Sequence, residues 1–235
     1  MFTHRLQVLQ YLVDQLKANT YLEIGVDNGN NFYNLQAPTK VGVDPSPAIR
    51  LRERWKFRQQ KAPNTRIIKK TSDEFFKNYS AYLGNQLIDV AFVDGLHTYA
   101  QALRDVENCL DHLSARGVIV MHDCLPPHAM AATPASEIKK LHKMPGFDGL
   151  WCGDVWKAVL HLRATRSDID MFVLNCDFGL GVISKGHQTC LDLSVDTIQS
   201  LNFSDYQTNQ AAWANVCSPD TLAQWLSTSK ILLNT

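Results

Sequence analysis

Three polar motifs in this sequence combine residue types that can move protons, hold a cation or bind a polar ligand. The segment Tyr21–Phe32, YLEIGVDNGNNF, places a carboxylate just before the first of two spaced glycines. Asp94 and His97 occur together in DGLH, and His122 is followed directly by Asp123. Histidine titrates near neutrality and can act as a general base, while carboxylates and imidazoles are ligands for divalent cations. The motifs therefore predict proton-transfer or metal-assisted chemistry beside a bound ligand.

The motifs follow segments whose composition is typical of buried β-strands. Apolar residues run almost without interruption through LIDVAFVDG, as expected for a strand that is covered on both faces. Such strands alternate with stretches of helical spacing, which predicts an α/β fold with a doubly wound, Rossmann-like and mostly parallel sheet. In such a sheet ligands bind beyond the carboxyl ends of the strands, where the motif residues lie. The five predicted strands are YLEIGV (21–26), KVGVD (40–44), TRIIKKT (65–71), LIDVAFVDG (87–95) and RGVIVMHD (116–123).

The spacing of apolar residues predicts helices around these strands. One helix lies within the N-terminal residues 1–20, and further helices form a C-terminal extension over residues 191–235, one of them capped by Ser218 and Pro219. We expect all of these elements to form a single domain over residues 1–235. The other predicted helices cover residues 48–60, 73–83, 99–113 and 153–164.

The chain changes character after the fifth predicted strand. Residues 124–153 contain four prolines and little strand pattern, which predicts a lid-like connection over a substrate site. Thr133 and Pro134 have the residue types of an N-cap and first helical position, so a short helix is expected after them. Residues 171–186 predict a hairpin, whose strand near Gly181–Lys185 would run antiparallel to the rest of the sheet.

Composition limits the classes of partner. The chain has 23 Lys and Arg residues against 23 Asp and Glu residues, which argues against broad nucleic-acid binding. No apolar run reaches the roughly 18 residues of a membrane helix, and the first residues do not have the pattern of a signal peptide. The six cysteines lack CxxC spacing and predict reduced thiols in a cytoplasmic protein. We expect a small-molecule partner, with neither nucleic acid nor membrane involved.

The glycine loop has the pattern E-x-G-x-x-x-G, formed by Glu23, Gly25 and Gly29. A dinucleotide-binding loop requires G-x-G-x-x-G, which brings a pyrophosphate to a helix N-terminus, and the paired glycines are missing here. Asp44, nineteen positions after Gly25, is placed to accept hydrogen bonds from ribose hydroxyls. A nucleoside with a cationic tail would suit this loop, with Glu23 ordering it or balancing the charge.

Four segments together resemble class I S-adenosylmethionine-dependent methyltransferases. They are YLEIGVDNGNN, VGVDPSP, the run from IDVAFVDGLHTYAQ to GVIVMHDC, and the late hairpin, so the resemblance covers roughly residues 15–187. The subgroup with D-G-x-H-x-Y after strand four and H-D after strand five is the most similar. It includes macrolide-sugar O-methyltransferases and their cephalosporin-type relatives.

The resemblance implies S-adenosylmethionine as cofactor and assigns the residues that hold it. Gly25 and Gly29, with the neighbouring Glu23 and Asn30, would border its methionine part. Asp44 would hold the ribose. The remaining assignments are Ser72 and Asp73 beside the adenine, and Asp94 near the methionine amino group.

The resemblance also implies methyl transfer to a hydroxyl of a small molecule or sugar unit, with His97 as the base and Asp94 as its partner or as a metal ligand. In metal-dependent relatives the strand-five pair is an acid followed by aspartate, whereas this chain has His122 and Asp123. A divalent ion held by Asp94, His122 and Asp123 therefore stays one alternative. Two carboxylates suit Mg²⁺, and His122 would shift the preference towards Mn²⁺.

Several alternatives stay open at this stage. The same fold could methylate nitrogen or a carboxyl group without a metal, or less plausibly serve an NAD-dependent oxidoreductase. A non-enzymatic cofactor-binding or interaction module would be favoured if His97 faced away from the cleft. The acceptor and the oligomeric state are not determined, and a homo-oligomer is one alternative.

Overall fold

The protein forms one mixed eight-stranded sheet, seen in a computed structural model that describes residues 2–49 and 64–228. The strand order is β3-β2-β1-β4-β5-β7-β6-β8. The strands are β1 Thr20–Ile24, β2 Thr39–Val43, β3 Asn64–Ile68, β4 Ile88–Val93, β5 Leu113–Met121, β6 Ile169–Leu174, β7 Leu180–Lys185 and β8 Val216–Cys217.

The sheet confirms the predicted Rossmann-like topology. Strands β3, β2, β1, β4 and β5 are parallel neighbours, so their carboxyl ends meet at one edge. β7 runs antiparallel to both β5 and β6, as the hairpin pattern predicted. The two-residue strand β8, parallel to β6, was not predicted, because so short a segment has no measurable periodicity.

The described helices largely follow the predicted ones. The segment predicted as one helix over 73–83 is divided at Asn78, whose φ of −120° ends one helix and precedes the next. The helix predicted over 99–113 ends at Asp111, because Leu113 already pairs with Ile88 in the sheet. The helices are Arg5–Leu16, Asn30–Asn34, Ser72–Lys77, Tyr79–Leu83, Tyr99–Asp111, Ile138–Leu141, Val155–Thr165, Val195–Ser200, Phe203–Trp213 and Thr221–Thr228.

Two helix predictions need comment. Most of the helix predicted over 48–60 lies outside the described residues. The prediction that Thr133 caps a helix with Pro134 at its first position was wrong, since Pro134 itself occupies the cap position. It precedes a single 3-10 turn, Ala135–Glu137, and the short helix Ile138–Leu141. The remaining described residues of the 124–153 connection form turns and irregular structure.

Apolar side chains cover both faces of the sheet. Tyr21 and Leu22 are adjacent in β1 and are both fully buried, but they belong to separate hydrophobic clusters because alternate strand residues point to opposite faces. The N-terminal helix packs into one cluster through Leu9 and Leu12. Because the face of the helix that carries Leu9 and Leu12 is buried against the sheet, its first residue, Arg5, lies at the carboxyl edge of the sheet.

The C-terminal extension is part of the same packing. Leu222 and Leu226 join the cluster of the N-terminal helix, while Ile198 and Tyr206 join the opposite one. The Tyr206 hydroxyl donates a 2.8 Å hydrogen bond to the carbonyl of Cys124, directly after the carboxyl edge of β5. In the described part of the chain, no helix has both the length and the apolar content needed to cross a bilayer.

Candidate active site

Two adjoining cavities lie at the carboxyl edge of the parallel strands. The larger, here named the acidic cavity, has a volume of about 450 Å³ and is lined by Arg5, Asp94, His97, His122, Asp123 and Trp151, among others. The second, named the side cavity, has a volume of about 250 Å³ and includes Ser72, Asp73, Gln101 and Asp105 in its wall. Gly25, Asp44 and Gly95 line both, so the two form one continuous trough.

Gly25 lets the first and fourth strands end side by side. Its φ is +86°, and a Cβ at this position would lie 1.9 Å from the carbonyl oxygen of Asp94. Its N–H donates to the carbonyl of Val43, which ties the loop to β2. Only glycine accommodates this backbone and leaves the trough floor open. Gly29, with φ +81°, caps the helix Asn30–Asn34 one turn further along.

Asp44 stands at the junction of the two cavities. One carboxylate oxygen accepts a 2.8 Å hydrogen bond from the Asp27 backbone N–H, and the other accepts a 2.7 Å bond from Ser46. These bonds hold the carboxylate at the rim of the trough. Each oxygen keeps a second lone pair for a ligand hydroxyl.

The side cavity contains a polar group centred on Gln101. Its amide nitrogen lies 3.2 Å from Ser72 Oγ, 3.2 Å from Asp73 Oδ1 and 3.0 Å from Asp105 Oδ1. Asp105 is buried, and desolvation raises its carboxyl pKa to about 6, against hydrogen bonds from Ser72 and Gln101 that lower it. This wall can accept hydrogen bonds from a planar amino group.

His97 faces the acidic cavity between two carboxylates. Its Nε2 lies 3.1 Å from Asp94 Oδ1, and its Nδ1 lies 3.1 Å from Asp123 Oδ2 and 3.2 Å from the carbonyl oxygen of Trp151. The backbone at His97 has φ +52°, an uncommon conformation for a residue with a side chain. His97 thus faces the cleft, contrary to what an interaction module would require.

The connection over residues 124–153 packs against His97. The Trp151 ring stacks on the imidazole with centroids 5.1 Å apart. A Cβ on Gly153 would lie 1.9 Å from the His97 carbonyl oxygen, so the two backbones are in direct contact. Asp154 accepts a 2.8 Å hydrogen bond from the Tyr99 N–H just beyond it. The connection therefore forms one wall of the cavity.

His122 and Asp123 lie at the floor of the cavity, with side chains 4% and 5% exposed. His122 Nδ1 lies 3.1 Å from Asp123 Oδ1 and 3.3 Å from Asp94 Oδ1, so the structure brings the three predicted metal ligands together. His122 Nε2 and Asp123 Oδ2 are buried without a hydrogen-bond partner. In the described chain, however, the set with ligand atoms all within 4.8 Å of one another is Asp94, His97 and Asp123.

Two charged residues of this cluster were not predicted. Arg5 donates from NH1 to Asp94 Oδ2 at 2.9 Å and from Nε to Asp177 Oδ2 at 2.9 Å. Asp177 lies in the β6–β7 turn, and its Oδ1 is 3.6 Å from His122 Nε2. Neither residue belongs to a motif at the end of a parallel strand. A signal for Arg5 was its position at the start of an amphipathic helix that precedes β1.

The carboxylates and imidazoles of the cluster stabilise one another's charged forms. Burial opposes ionisation of Asp94, but the positive charges of His122 and His97 outweigh it and hold the Asp94 pKa well below its usual range. Burial likewise opposes protonation of His97, yet the hydrogen bond to Asp94 and the charges of Asp123 and Asp94 raise the His97 pKa above its ordinary value. The His122 pKa is raised well above its ordinary value by the carboxylates around it, against the effect of burial.

Glu23 lies beneath the loop and does not line either cavity. It is 1% exposed, and its carboxylate accepts a 2.5 Å hydrogen bond from the Tyr21 hydroxyl. Burial raises the Glu23 pKa to about 8, which the Tyr21 hydrogen bond and the charge of Lys40 only partly oppose. Gly29 and Asn30 are also absent from the lining of these two cavities. Gly25, Asp44, Ser72, Asp73 and Asp94 do line the trough.

Comparison with protein families gives an independent identification of the domain type. Residues 22–124 match the family described as "Methyltransferase domain". This segment extends from β1 to the residue after His122 and Asp123, and thus contains the glycine loop, Asp44 and the Asp94–His97 motif. No curated protein sequence matches the chain.

Solved structures share the fold at low sequence identity. The Podospora anserina methyltransferase PaMTH1, bound to S-adenosylhomocysteine, superposes with a TM-score of 0.54 at 19% identity, over 79% of this chain and 80% of that one. An O-methyltransferase from Bacillus cereus in complex with S-adenosylhomocysteine gives 0.54 at 13%, over 77% and 80%. TomG from Streptomyces achromogenes, an O-methyltransferase of tomaymycin synthesis in complex with S-adenosylmethionine, gives 0.54 at 14%, over 77% and 79%.

The solved structures confirm the expected Rossmann-like methyltransferase fold, and the family match places a methyltransferase-domain pattern on residues 22–124. They do not distinguish the subgroup, the acceptor or the atom methylated.

Proposed function

We propose that this protein transfers the methyl group of S-adenosylmethionine to a hydroxyl oxygen of a small molecule or sugar unit, with His97 as general base. The observation that carries the proposal is the position of His97 in the acidic cavity, held between Asp94 and Asp123 and adjoining the trough that Gly25 leaves open. The methyltransferase-domain match over residues 22–124 supports the cofactor class.

The trough suits an adenosine ligand. Asp44, at the junction of the cavities, offers lone pairs to ribose hydroxyls, and the side cavity offers the oxygen atoms of Ser72 and Asp73 to an adenine amino group. The Asp105 carboxylate faces the same cavity, and its raised pKa of about 6 leaves it able to accept a hydrogen bond near neutral pH. Glu23, Gly29 and Asn30 would act from beneath by shaping the loop.

The sulfonium end of the cofactor would extend past Gly25 into the acidic cavity. Negative charge from Asp94 favours the cationic sulfonium and the methionine ammonium group there. Methyl transfer is an in-line displacement, so the walls of the cavity act chiefly by positioning the acceptor against the methyl carbon. A new C–O bond forms as the C–S bond breaks, and the sulfur leaves as a neutral thioether.

The proton of the acceptor hydroxyl would move to the ring nitrogen of His97 that carries no proton in the neutral form. Both ring nitrogens face oxygen acceptors, Nδ1 the Trp151 carbonyl and Asp123 Oδ2, and Nε2 the Asp94 carboxylate. These carboxylates stabilise the imidazolium that results. General base catalysis of this kind contributes typically about 10²–10⁴-fold to a rate.

The acceptor would enter beside the connection over residues 124–153. Leu150, Trp151 and Phe178 contribute apolar surface to the same cavity as the charged residues. An acceptor with an apolar ring or chain next to its hydroxyl matches that combination. The subgroup of O-methyltransferases with D-G-x-H-x-Y and H-D motifs is proposed on Asp94, His97 and Tyr99 and on His122 and Asp123.

A divalent cation fits this cluster poorly. Asp94, His97 and Asp123 are suitable ligand types, and Asp123 Oδ2, which lies 3.1 Å from His97 Nδ1, accepts no well-aligned hydrogen bond. However, Asp94 Oδ2 already accepts a bond from the Arg5 guanidinium, and an ion held by Asp94 would lie beside that fixed positive charge. The proposed reaction accordingly uses no metal.

Calorimetric titration with S-adenosylhomocysteine tests the cofactor, with NAD as the control ligand. We expect micromolar binding of the homocysteine nucleoside and none of NAD. Absence of binding to the nucleoside in every buffer would refute the proposal.

Transfer of a labelled methyl group to a panel of hydroxyl, amine and carboxyl acceptors then tests the chemistry. Label on hydroxyl compounds supports O-methylation. Label confined to amines or carboxylic acids would replace it by the alternative transferase activity of the same fold.

A further inference from the structure

Arg5 brings a permanent positive charge into the acidic cavity from outside the parallel sheet. It is the first residue of the helix Arg5–Leu16, and its side chain is only 19% exposed. NH1 lies 2.9 Å from Asp94 Oδ2 and 3.5 Å from His122 Nδ1. A guanidinium cannot lose its proton under physiological conditions, so this charge is independent of pH.

The guanidinium is held rigidly by Asp177. Asp177 Oδ2 accepts hydrogen bonds from Arg5 Nε at 2.9 Å and from the Arg5 backbone N–H at 2.7 Å, and Oδ1 accepts from NH2 at 3.1 Å. Asp177 is itself only 7% exposed in its side chain and has φ +46° in the β6–β7 turn. Such a bidentate contact fixes the orientation of the guanidinium as well as its position.

A carboxylate oxygen that accepts a hydrogen bond from a guanidinium is a poorer ligand for a divalent ion, because the two cations repel each other. Asp94 has one oxygen bonded to Arg5 and the other in contact with His97 Nε2 and His122 Nδ1. Asp94, His97 and Asp123 offer ligand atoms that lie within 4.8 Å of one another and could hold a divalent ion, and Asp177 adds a negative charge on the other side of Arg5. The Arg5 guanidinium partly neutralises the negative charge of this cluster. It bonds to Asp94 Oδ2, whereas His97 contacts Asp94 Oδ1.

We propose that Arg5 takes the part of a divalent cation in this site, as a built-in positive charge that stabilises ionised Asp94 and makes methyl transfer independent of metal. The proposal rests on the proposed transferase function. It assigns Arg5 as a positioning residue that acts through Asp94 on His97, and it assigns Asp177 as the residue that holds Arg5.

Metal binding measured without turnover is the primary test. Mn²⁺ alone is titrated into the wild-type protein and the variant Arg5→Ala, with free Mn²⁺ followed by electron paramagnetic resonance. We expect no stoichiometric Mn²⁺ binding to the wild type and one bound ion in Arg5→Ala, since Asp94 Oδ2 is then released from the guanidinium and is available as a ligand beside His97 and Asp123. Arg5→Lys keeps the charge and should bind none, and Arg166→Ala, which removes a surface ion pair with Asp168, serves as the matched control.

Activity provides the second readout. Wild-type transfer should be unchanged by EDTA, whereas Arg5→Ala should lose roughly 10-fold or more, as when one preorganised donor is removed from a site. Added Mn²⁺ should restore part of that loss in Arg5→Ala and leave Arg5→Lys unaffected. Thermal unfolding of each variant verifies that it is folded.

Two results would overturn the inference. One is stoichiometric Mn²⁺ binding by the wild type together with inhibition by EDTA. The other is a folded Arg5→Ala protein that binds no Mn²⁺. The Mn²⁺ titrations need no cofactor, and S-adenosylhomocysteine binding is measured separately. Failure of that binding refutes the transferase function, whereas failure of the Mn²⁺ result refutes only the role of Arg5.

Discussion

The Nε2 atom of His97 lies 3.1 Å from Oδ1 of Asp94, three residues earlier in the chain. The contact joins the residue that follows β4 to the loop that leads into the helix Tyr99–Asp111, and it aims the ring into the acidic cavity. The contact therefore holds the ring of the proposed base in one orientation.

Replacing His97 should separate catalysis from cofactor binding. We expect His97→Gln to lower kcat by roughly 10²–10⁴-fold, the usual contribution of a general base, while affinity for S-adenosylhomocysteine changes little. His128→Gln is a matched control, because His128 contacts Asp148 on the outer connection and does not line the cavity. Equal activity of both variants would show that His97 is not the base.

The pH dependence of the rate follows from the raised pKa of His97. The base form is neutral, so activity should rise with pH and reach half its maximum above the ordinary histidine value of 6.5. Since the hydrogen bond that His97 donates to Asp94 raises this pKa, Asp94→Asn should move the acid limb to lower pH as well as lowering kcat. A pH–rate profile of kcat checks the shift, and an unmoved limb in Asp94→Asn would contradict the pairing.

Removal of the Asp44 carboxylate should weaken cofactor binding. A hydrogen bond to a charged group is worth about 1.5–3 kcal/mol, so Asp44→Ala should raise the Kd for S-adenosylhomocysteine by roughly 10–100-fold. Titration calorimetry measures the change. Asp168→Ala, on an exposed ion pair, should leave the affinity unchanged, and a similar Kd for both variants would remove Asp44 from the site.

A side chain at position 25 should damage folding by a clash as well as by backbone strain. Gly25→Ala brings a Cβ to 1.9 Å from the Asp94 carbonyl, whereas a Cβ on Gly84, which also has positive φ, meets nothing within 4 Å. Both positions have positive φ, so Gly84→Ala serves as the control for a side chain at positive φ without a clash. We expect Gly25→Ala to be less stable than Gly84→Ala by roughly 1–3 kcal/mol, measured by denaturant unfolding.

Glu23 should make stability depend on pH. Its pKa in the folded state, about 8, is raised from 4.5, so its favourable contribution is complete below about pH 4.5 and is lost as the pH rises through about 8. The pKa of the neighbouring Lys40 is lowered to about 8 chiefly by burial, so its contribution changes in the opposite sense, from pH 8 to 10.5. The two effects together predict a stability minimum near pH 8.

The Glu23→Gln variant tests that assignment. It removes the acidic titration, so the fall in Tm between pH 5 and pH 8 should shrink, by roughly 2–4 °C for each 1 kcal/mol recovered. Glu137→Gln, at an exposed position in the connection, is the control and should follow the wild type. A parallel decline of Tm in Glu23→Gln and the wild type would mean that another group controls the pH dependence.

Sequence patterns alone predicted the sheet and the residues that follow its parallel strands. Alternating and continuous apolar runs predicted β1 to β5 and the hairpin because burial on both faces of a sheet demands those patterns. The position of Asp44 and of the Asp94–His97 motif after such strands was enough to place them at one edge. The helix boundaries near Asn78 and Thr133, however, differ from the predicted ones. Local hydrogen bonding decides them, because helix propensity is weak there.

Which charged residues meet in the site depends on packing between elements that are distant in the sequence. Arg5 and Asp177 are 172 residues apart in the chain, and they meet because the N-terminal helix and the β6–β7 turn both pack at the carboxyl edge of the sheet. The burial of Glu23 away from the cavities follows from its neighbours in the folded sheet, which the loop pattern around it does not encode. Long-range packing thus sets the charge balance around His97, because electrostatic energies depend on distance and burial and not on order along the chain.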